Sequence, residues 1–225
     1  MVLTVCVGSA VMVAVVSVRE QVPVDPALAA GAQASVAQLG RMPVVAQRLS
    51  RDDYHRDAFG PAWTDAVSVA DGGNGCDTRN DILARDLTDT RVGAVASCPR
   101  AVLAGEFRSP YTGKFLVFAR DRKAGAVQID HIVPLALAWD MGAWSWSLST
   151  RTDFANDPAN LVAVDAASNQ DKSDAEPARW MPPDKRFHCR YAIQFVTVAT
   201  AYRLSVDAAS RAVLAKVLSR CARRR

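Results

Sequence analysis

Val127-Gln-Ile-Asp-His-Ile-Val-Pro134 is the stretch around which the chain can be read. Its β-branched, apolar run predicts a strand over residues 127–133, stopped by a proline that cannot extend a ladder. Two polar residues, Asp130 and His131, sit side by side within it. Neighbours on a strand point to opposite faces, so they share a cleft only where the strand end twists or bulges. Downstream lies Asn156-Asp-Pro-Ala-Asn-Leu161, then a second apolar run at 161–164, then a polar segment at 166–176 that reads as a short helix. Within that helix Ser168-Asn-Gln-Asp-Lys172 places Asn169 and Lys172 three apart, hence on one face. Strand, loop, strand and helix in that order can bring both elements to one cleft.

Away from this centre the chain alternates less regularly. Residues 43–53 carry Val44, Val45 and Leu49 at helical spacing. Asp71-Gly-Gly-Asn-Gly75 is a turn cluster, because Gly and Asn tolerate positive φ. Residues 78–88 predict a helix with Thr78 as cap and Ile82, Leu83 and Leu87 inward. Phe115-Leu-Val-Phe118 predicts a strand after the turn Pro110-Tyr-Thr-Gly113, and residues 190–198 and 206–218 read as closing elements. The whole is a mixed α+β chain. Of its 225 residues, half are apolar and 22% are charged, which excludes a disordered protein. The net charge of +4 includes Arg223, Arg224 and Arg225, so a strongly electrostatic nucleic-acid binder is not indicated.

The first 18 residues contain no charge, and Arg19 and Glu20 end that run. Residues 1–20 therefore read as a signal peptide or an uncleaved membrane anchor, although no basic residue precedes the run. Residues 21–41 read as a Pro/Ala-rich tether, and residues 42–225 as the folded domain. Ala27-Leu28-Ala29 and Ala32-Gln33-Ala34 would suit a signal peptidase. Beyond Cys6 the cysteines are Cys76, Cys98, Cys189 and Cys221, an even set with no C-x-x-C pair to hold zinc. Of three connectivities the local one, Cys76–Cys98 with Cys189–Cys221, is the simplest. Each bridge would contribute on the order of 3 kcal/mol, and such pairing suits a secreted location.

The central stretch has the parts that a metal-assisted phosphodiesterase needs: a histidine held neutral to take a proton from water, and oxygen ligands for a hard divalent cation. Asp130-His131, Asn160 ahead of the second strand and Asn169 in the helix resemble the HNH (ββα-metal) endonucleases. Five wider stretches resemble the small secreted actinobacterial HNH proteins related to the C-terminal domain of GmrSD-type restriction enzymes. They are Cys76-Asp-Thr-Arg-Asn-Asp-Ile-Leu83, Pro110-Tyr-Thr-Gly113, Ala138-Trp-Asp-Met-Gly-Ala143, Phe154-Ala-Asn-Asp-Pro158 and Trp180-Met-Pro-Pro183. The resemblance implies an α+β fold with a ββα core at about 127–176, flanked by helices and a short strand pair. It implies His131 as general base, Asp130 and Asn169 as ligands of a divalent metal, Asn160 as the residue that orients His131 or its backbone, and Lys172 as neutraliser of a phosphate oxygen. The metal it implies is Mg²⁺, with Mn²⁺ or another transition ion as the alternative. The substrate it implies is DNA, with RNA as a second possibility and no small-molecule cofactor.

Simpler roles compete with these. Asn169 could cap its helix, Asp130 could pair with an Arg, and Lys172 taken alone is a solvated charge. Arg79, Arg85 and Arg151 could reach phosphate, though no spacing demands it. His55 and His188 read as structural or surface residues, and Trp139, Trp144 and Trp146 as core or lid packing. The competing function is a non-catalytic, disulfide-stapled extracellular binding domain on the same scaffold.

Overall fold

The computed structural model describes residues 25–121 and 124–223, so the apolar run at 1–18 lies outside the described residues. In chain order the elements are α1 (Pro26–Arg41), β1 (Val44–Val45), α2 (Thr78–Asp86), β2 (Thr88–Val95), β3 (Cys98–Arg108), β4 (Phe115–Ala119) and β5 (Val127–His131). There follow α3 (Leu135–Asp140), α4 (Leu148–Asn156), β6 (Leu161–Asp165), α5 (Ala166–Lys172), α6 (His188–Ala201), β7 (Val206–Asp207) and α7 (Ala208–Arg223).

The central unit is the antiparallel pair β5–β6 with α5 after it, a ββα arrangement. The pleat of this pair separates two cores. Leu161 and Ala163 join Val127 and Ile129 against α2 and the β2–β3–β4 sheet, whereas Val162 and Val164 pack with the helical side of the molecule. Burial on both faces explains why residues 161–164 are uniformly apolar rather than alternating. The larger core gathers α1, α3, α6 and α7 around Tyr111, Trp180 and Tyr191.

Several expectations change. The supposed tether contains a 16-residue helix, capped by Asp25, whose Ala32, Ser35 and Leu39 are buried. Pro26 at its first turn suits a helix start, since that N–H has no intrahelical partner anyway. Both candidate peptidase sites fall inside α1. Residues 43–53 are not helical: Val44–Val45 pairs in parallel with Val206–Asp207, and Leu49 is exposed. The cap of α2 is Asp77, whose carboxylate accepts from Asn80 N; the Thr78 hydroxyl instead donates to Thr64 O. The hairpin β2–β3 gave no period-two signal because β2 is mostly exposed on both faces.

Both disulfides of the local connectivity are present. Cys76–Cys98 ties the loop before α2 to β3, and Cys189–Cys221 ties α6 to α7. Of Trp139, Trp144 and Trp146, the first and last pack inward, while Trp144 is half exposed beneath the Arg51 guanidinium.

Candidate active site

The register of β5 against β6 runs unbroken from Val127↔Asp165 to His131↔Leu161, so no bulge redirects Asp130 or His131. They point to opposite faces as the pleat requires. On one face α5 covers Gln128 and Asp130: Asn169 Nδ2 donates to Gln128 Oε1 at 2.8 Å, and Lys172 Nζ meets Asp130 Oδ2 at 2.8 Å. On the other face the His131 ring reaches the Ala155 carbonyl at 2.8 Å and lies nearly parallel to Trp63, with centroids 5.9 Å apart. Both side chains nevertheless border one polar pocket of about 400 Å³ at the end of the strand, together with Asn169, Asp174, Tyr54 and Arg56.

The Ala155 carbonyl belongs to the last turn of α4, where helix carbonyls lack intrahelical donors. A carbonyl can only accept, so in the neutral ring Nε2 carries the hydrogen and Nδ1 keeps its lone pair. Burial holds the His131 pKa down at about 4, against the opposing pull of the Ala155 bond and the Asp130 charge. The ring is therefore neutral at pH 7 and able to accept a proton.

Asn160, completely buried, clamps the backbone just past His131. Its Oδ1 accepts from Val133 N at 2.9 Å, its Nδ2 donates to Val133 O at 3.2 Å, and its own carbonyl accepts from Ile132 N. It touches the backbone and not the imidazole.

Lys172 departs from expectation. It is fully buried, donating to the His131 carbonyl at 2.8 Å as well as to Asp130. Burial pushes its pKa down, and Asp130 draws it back up. An ammonium held in this way neutralises a carboxylate under the strand and does not reach a phosphate in the pocket. Arg79, Arg85 and Arg151 are likewise committed, each donating to backbone carbonyls. His188 bonds Pro182 O, and His55 is exposed.

Three residues that the sequence did not single out complete the site. The Tyr111 hydroxyl donates to Asp130 Oδ2 at 2.5 Å, and burial raises its pKa well above the ordinary phenol value. Arg56 is exposed, makes no ion pair among the described residues, and borders the pocket beside His131. Trp63 flanks the ring. Arg56 opens a single 3₁₀ turn (Arg56–Phe59) and Trp63 follows it, in the stretch between β1 and α2 where no periodicity draws attention; the one local signal is the grouping Tyr54-His-Arg56.

The donor set can be tested against a divalent cation. Both bonds to Asp130 fall on Oδ2, and Asn169 is bonded through Nδ2, so one oxygen of each remains for an ion in the pocket. Among the described residues no three His, Cys, Asp or Glu side chains form a metal cluster. One carboxylate and one amide oxygen fit a hard ion that keeps most of its water, as Mg²⁺ does, and do not fit a four-ligand zinc site. Asp174, the other carboxylate at the pocket, is engaged by Arg48 at 2.7 Å.

Comparison with known proteins identifies the domain. The family model of the C-terminal domain of GmrSD restriction endonucleases matches residues 77–217, more than half of the chain and all of the ββα unit. A relative from Arthroderma benhamiae, called an uncharacterized secreted protein, is 39% identical over 173 residues, covering 76% of this chain and 77% of the relative. No solved structure matches the present chain. The chain belongs to the family of GmrSD restriction endonuclease C-terminal domains.

Proposed function

We propose that this protein is an exported, metal-dependent endonuclease of the HNH (ββα-metal) type acting on DNA, with His131 as general base. The observation that carries the reading is the His131 ring, kept neutral by burial and with Nε2 tied to Ala155 O, at the edge of a pocket shared with Asp130 and Asn169. Nδ1 takes a proton from water as the water oxygen bonds to phosphorus. The bond from phosphorus to the leaving sugar oxygen then breaks, and that oxygen is protonated from solvent. Asp130 and Asn169 would hold Mg²⁺, or Mn²⁺ in its place, which supplies the positive charge that a developing phosphorane needs. Arg56 offers a guanidinium at the same pocket for a second phosphate oxygen. Asn160 fixes the backbone that carries the base, a positioning role.

Export is supported by the name of the Arthroderma relative and by two disulfides, which persist in oxidising compartments. Among the described residues no helix is long and apolar enough to cross a membrane.

The test is supercoiled plasmid incubated with purified protein in Mg²⁺ and in EDTA. Nicking that requires the metal is expected, and His131→Ala should lower it by about 10²–10⁴ in a variant that circular dichroism shows to be folded. Near-normal nicking by that variant removes His131 from the mechanism. A second reading, a binding domain without turnover, has one specific support: Lys172 and Tyr111 already satisfy Asp130 Oδ2. That reading predicts no nicking under any metal.

A further inference from the structure

A second pocket, about 430 Å³, lies on the far side of His131. It shares His131, Arg56 and Leu135 with the polar pocket, so these residues form the wall between the two. Apart from the Asp57 carboxylate, its other lining is different in kind: Phe59, Gly60, Pro61, Ala62, Trp63 and Ala155 make it chiefly apolar. Such a volume falls within the range of sites that enclose small molecules, roughly 300–1,000 Å³. Trp63 is held there in a backbone conformation that bulky side chains rarely adopt, at φ 59°. Backbone outliers of this kind gather at ligand sites, where the surroundings hold them in place.

We propose that this apolar pocket receives one unpaired base of the strand being cut, stacked on Trp63, so that the enzyme prefers single-stranded or frayed nucleic acid. The inference rests on the endonuclease reading above and adds its substrate class. A phosphate sitting beside His131 and Arg56 in the polar pocket has its own nucleoside within one residue of the wall. Phe59, Pro61 and Trp63 suit the face of a base, and the Asp57 carboxylate in the same lining disfavours a second phosphate there. In an intact duplex the base stays stacked and paired and cannot enter; in a single strand it turns out at little cost. Arg56, common to both pockets, can bind the backbone at the point where the chain passes from one to the other.

The experiment uses the full protein and two readouts. In EDTA, where no cleavage occurs, binding of a twelve-residue oligothymidine is followed by tryptophan fluorescence and compared with an abasic strand of equal length and with the paired duplex. Oligothymidine is expected to bind about ten-fold more tightly than either, the size of one base–aromatic stack. Trp63→Ala should erase that advantage. Because Trp63 packs partly on the core, Ala62→Phe provides a second variant: it fills the pocket from an exposed position and should erase the advantage too. In Mg²⁺ both variants should raise KM for the single strand about ten-fold. Equal binding of oligothymidine and abasic strand, or duplex cut as readily as single strand with Trp63→Ala harmless, overturns the base pocket and leaves the endonuclease reading standing. Absence of cleavage on every substrate and metal overturns both.

Discussion

Lys172 is the residue whose role the fold decides most sharply. Its ammonium is fully buried between the Asp130 carboxylate and the His131 carbonyl, where an unpaired charge could not be tolerated. Removing one member of such a pair leaves the other charged and dry, which costs about 3–5 kcal/mol. Lys172→Met should therefore lower folding stability by about that amount in urea denaturation, and Asp130→Asn combined with it should restore part of the loss. A lysine serving only as a phosphate contact would show the opposite pattern: unchanged stability and weaker binding to nucleic acid. The same ion pair places the carboxylate that would meet a metal on a rigid support, with Tyr111 as its second fixed partner. His131 differs in kind. Its surroundings tune a free lone pair and satisfy only the other nitrogen.

At the scale of elements, the junction of β6 and α5 aims Asn169 and Lys172. Asp165 caps α5, accepting from Ser168 N at 3.0 Å, and also receives the hydroxyls of Ser109, Thr112 and Ser168. Burial works against its ionisation, but those four bonds outweigh it and hold its pKa at about 2, below the ordinary 3.8. Because the unfolded chain takes up the proton first as the medium is acidified, this stabilisation is complete above about pH 4 and is lost as pH falls to about 2. Asp165→Asn should therefore be less stable than the parent at neutral pH by about 1–2 kcal/mol, the amide oxygen keeping part of the hydrogen bonding. Its stability should also vary less between pH 5 and pH 2. Thermal melts across that range would read both effects, and parallel curves for the two proteins would rule out the cap as the source of acid sensitivity.

At the scale of the whole molecule, segments far apart in sequence close around the ββα unit. Helix α1 joins the core with α6 and α7, β1 pairs with β7, and the bridge Cys189–Cys221 closes a 32-residue separation. Cys76–Cys98 closes one of 22. Constraining loops of these lengths in the unfolded chain stabilises by about 3–4 kcal/mol each. Reduction with a thiol reagent should accordingly lower the melting temperature by well over ten degrees for a domain of this size, read by calorimetry with and without reductant. Insensitivity to reductant would mean that the bridges restrain an already rigid surface.

What the sequence determined alone was the local chemistry: the two apolar runs, the polar helix after them, Asn169 and Lys172 on one face, and an even cysteine set. These are legible because strand and helix periods and loop closure act over neighbouring residues. An orienting role for Asn160 came only from the family resemblance, and its side chain bonds the backbone of Val133, just past the end of β5. Whether Lys172 meets phosphate or carboxylate depended on Asp130 lying beneath α5, a contact between residues 42 positions apart. The places of Arg56, Trp63 and Tyr111, and the packing of α1, which in isolation reads as a tether, were likewise decided by tertiary structure. Irregular segments carry no period, and a weakly amphipathic helix is stabilised by the surfaces that meet it rather than by its own residues.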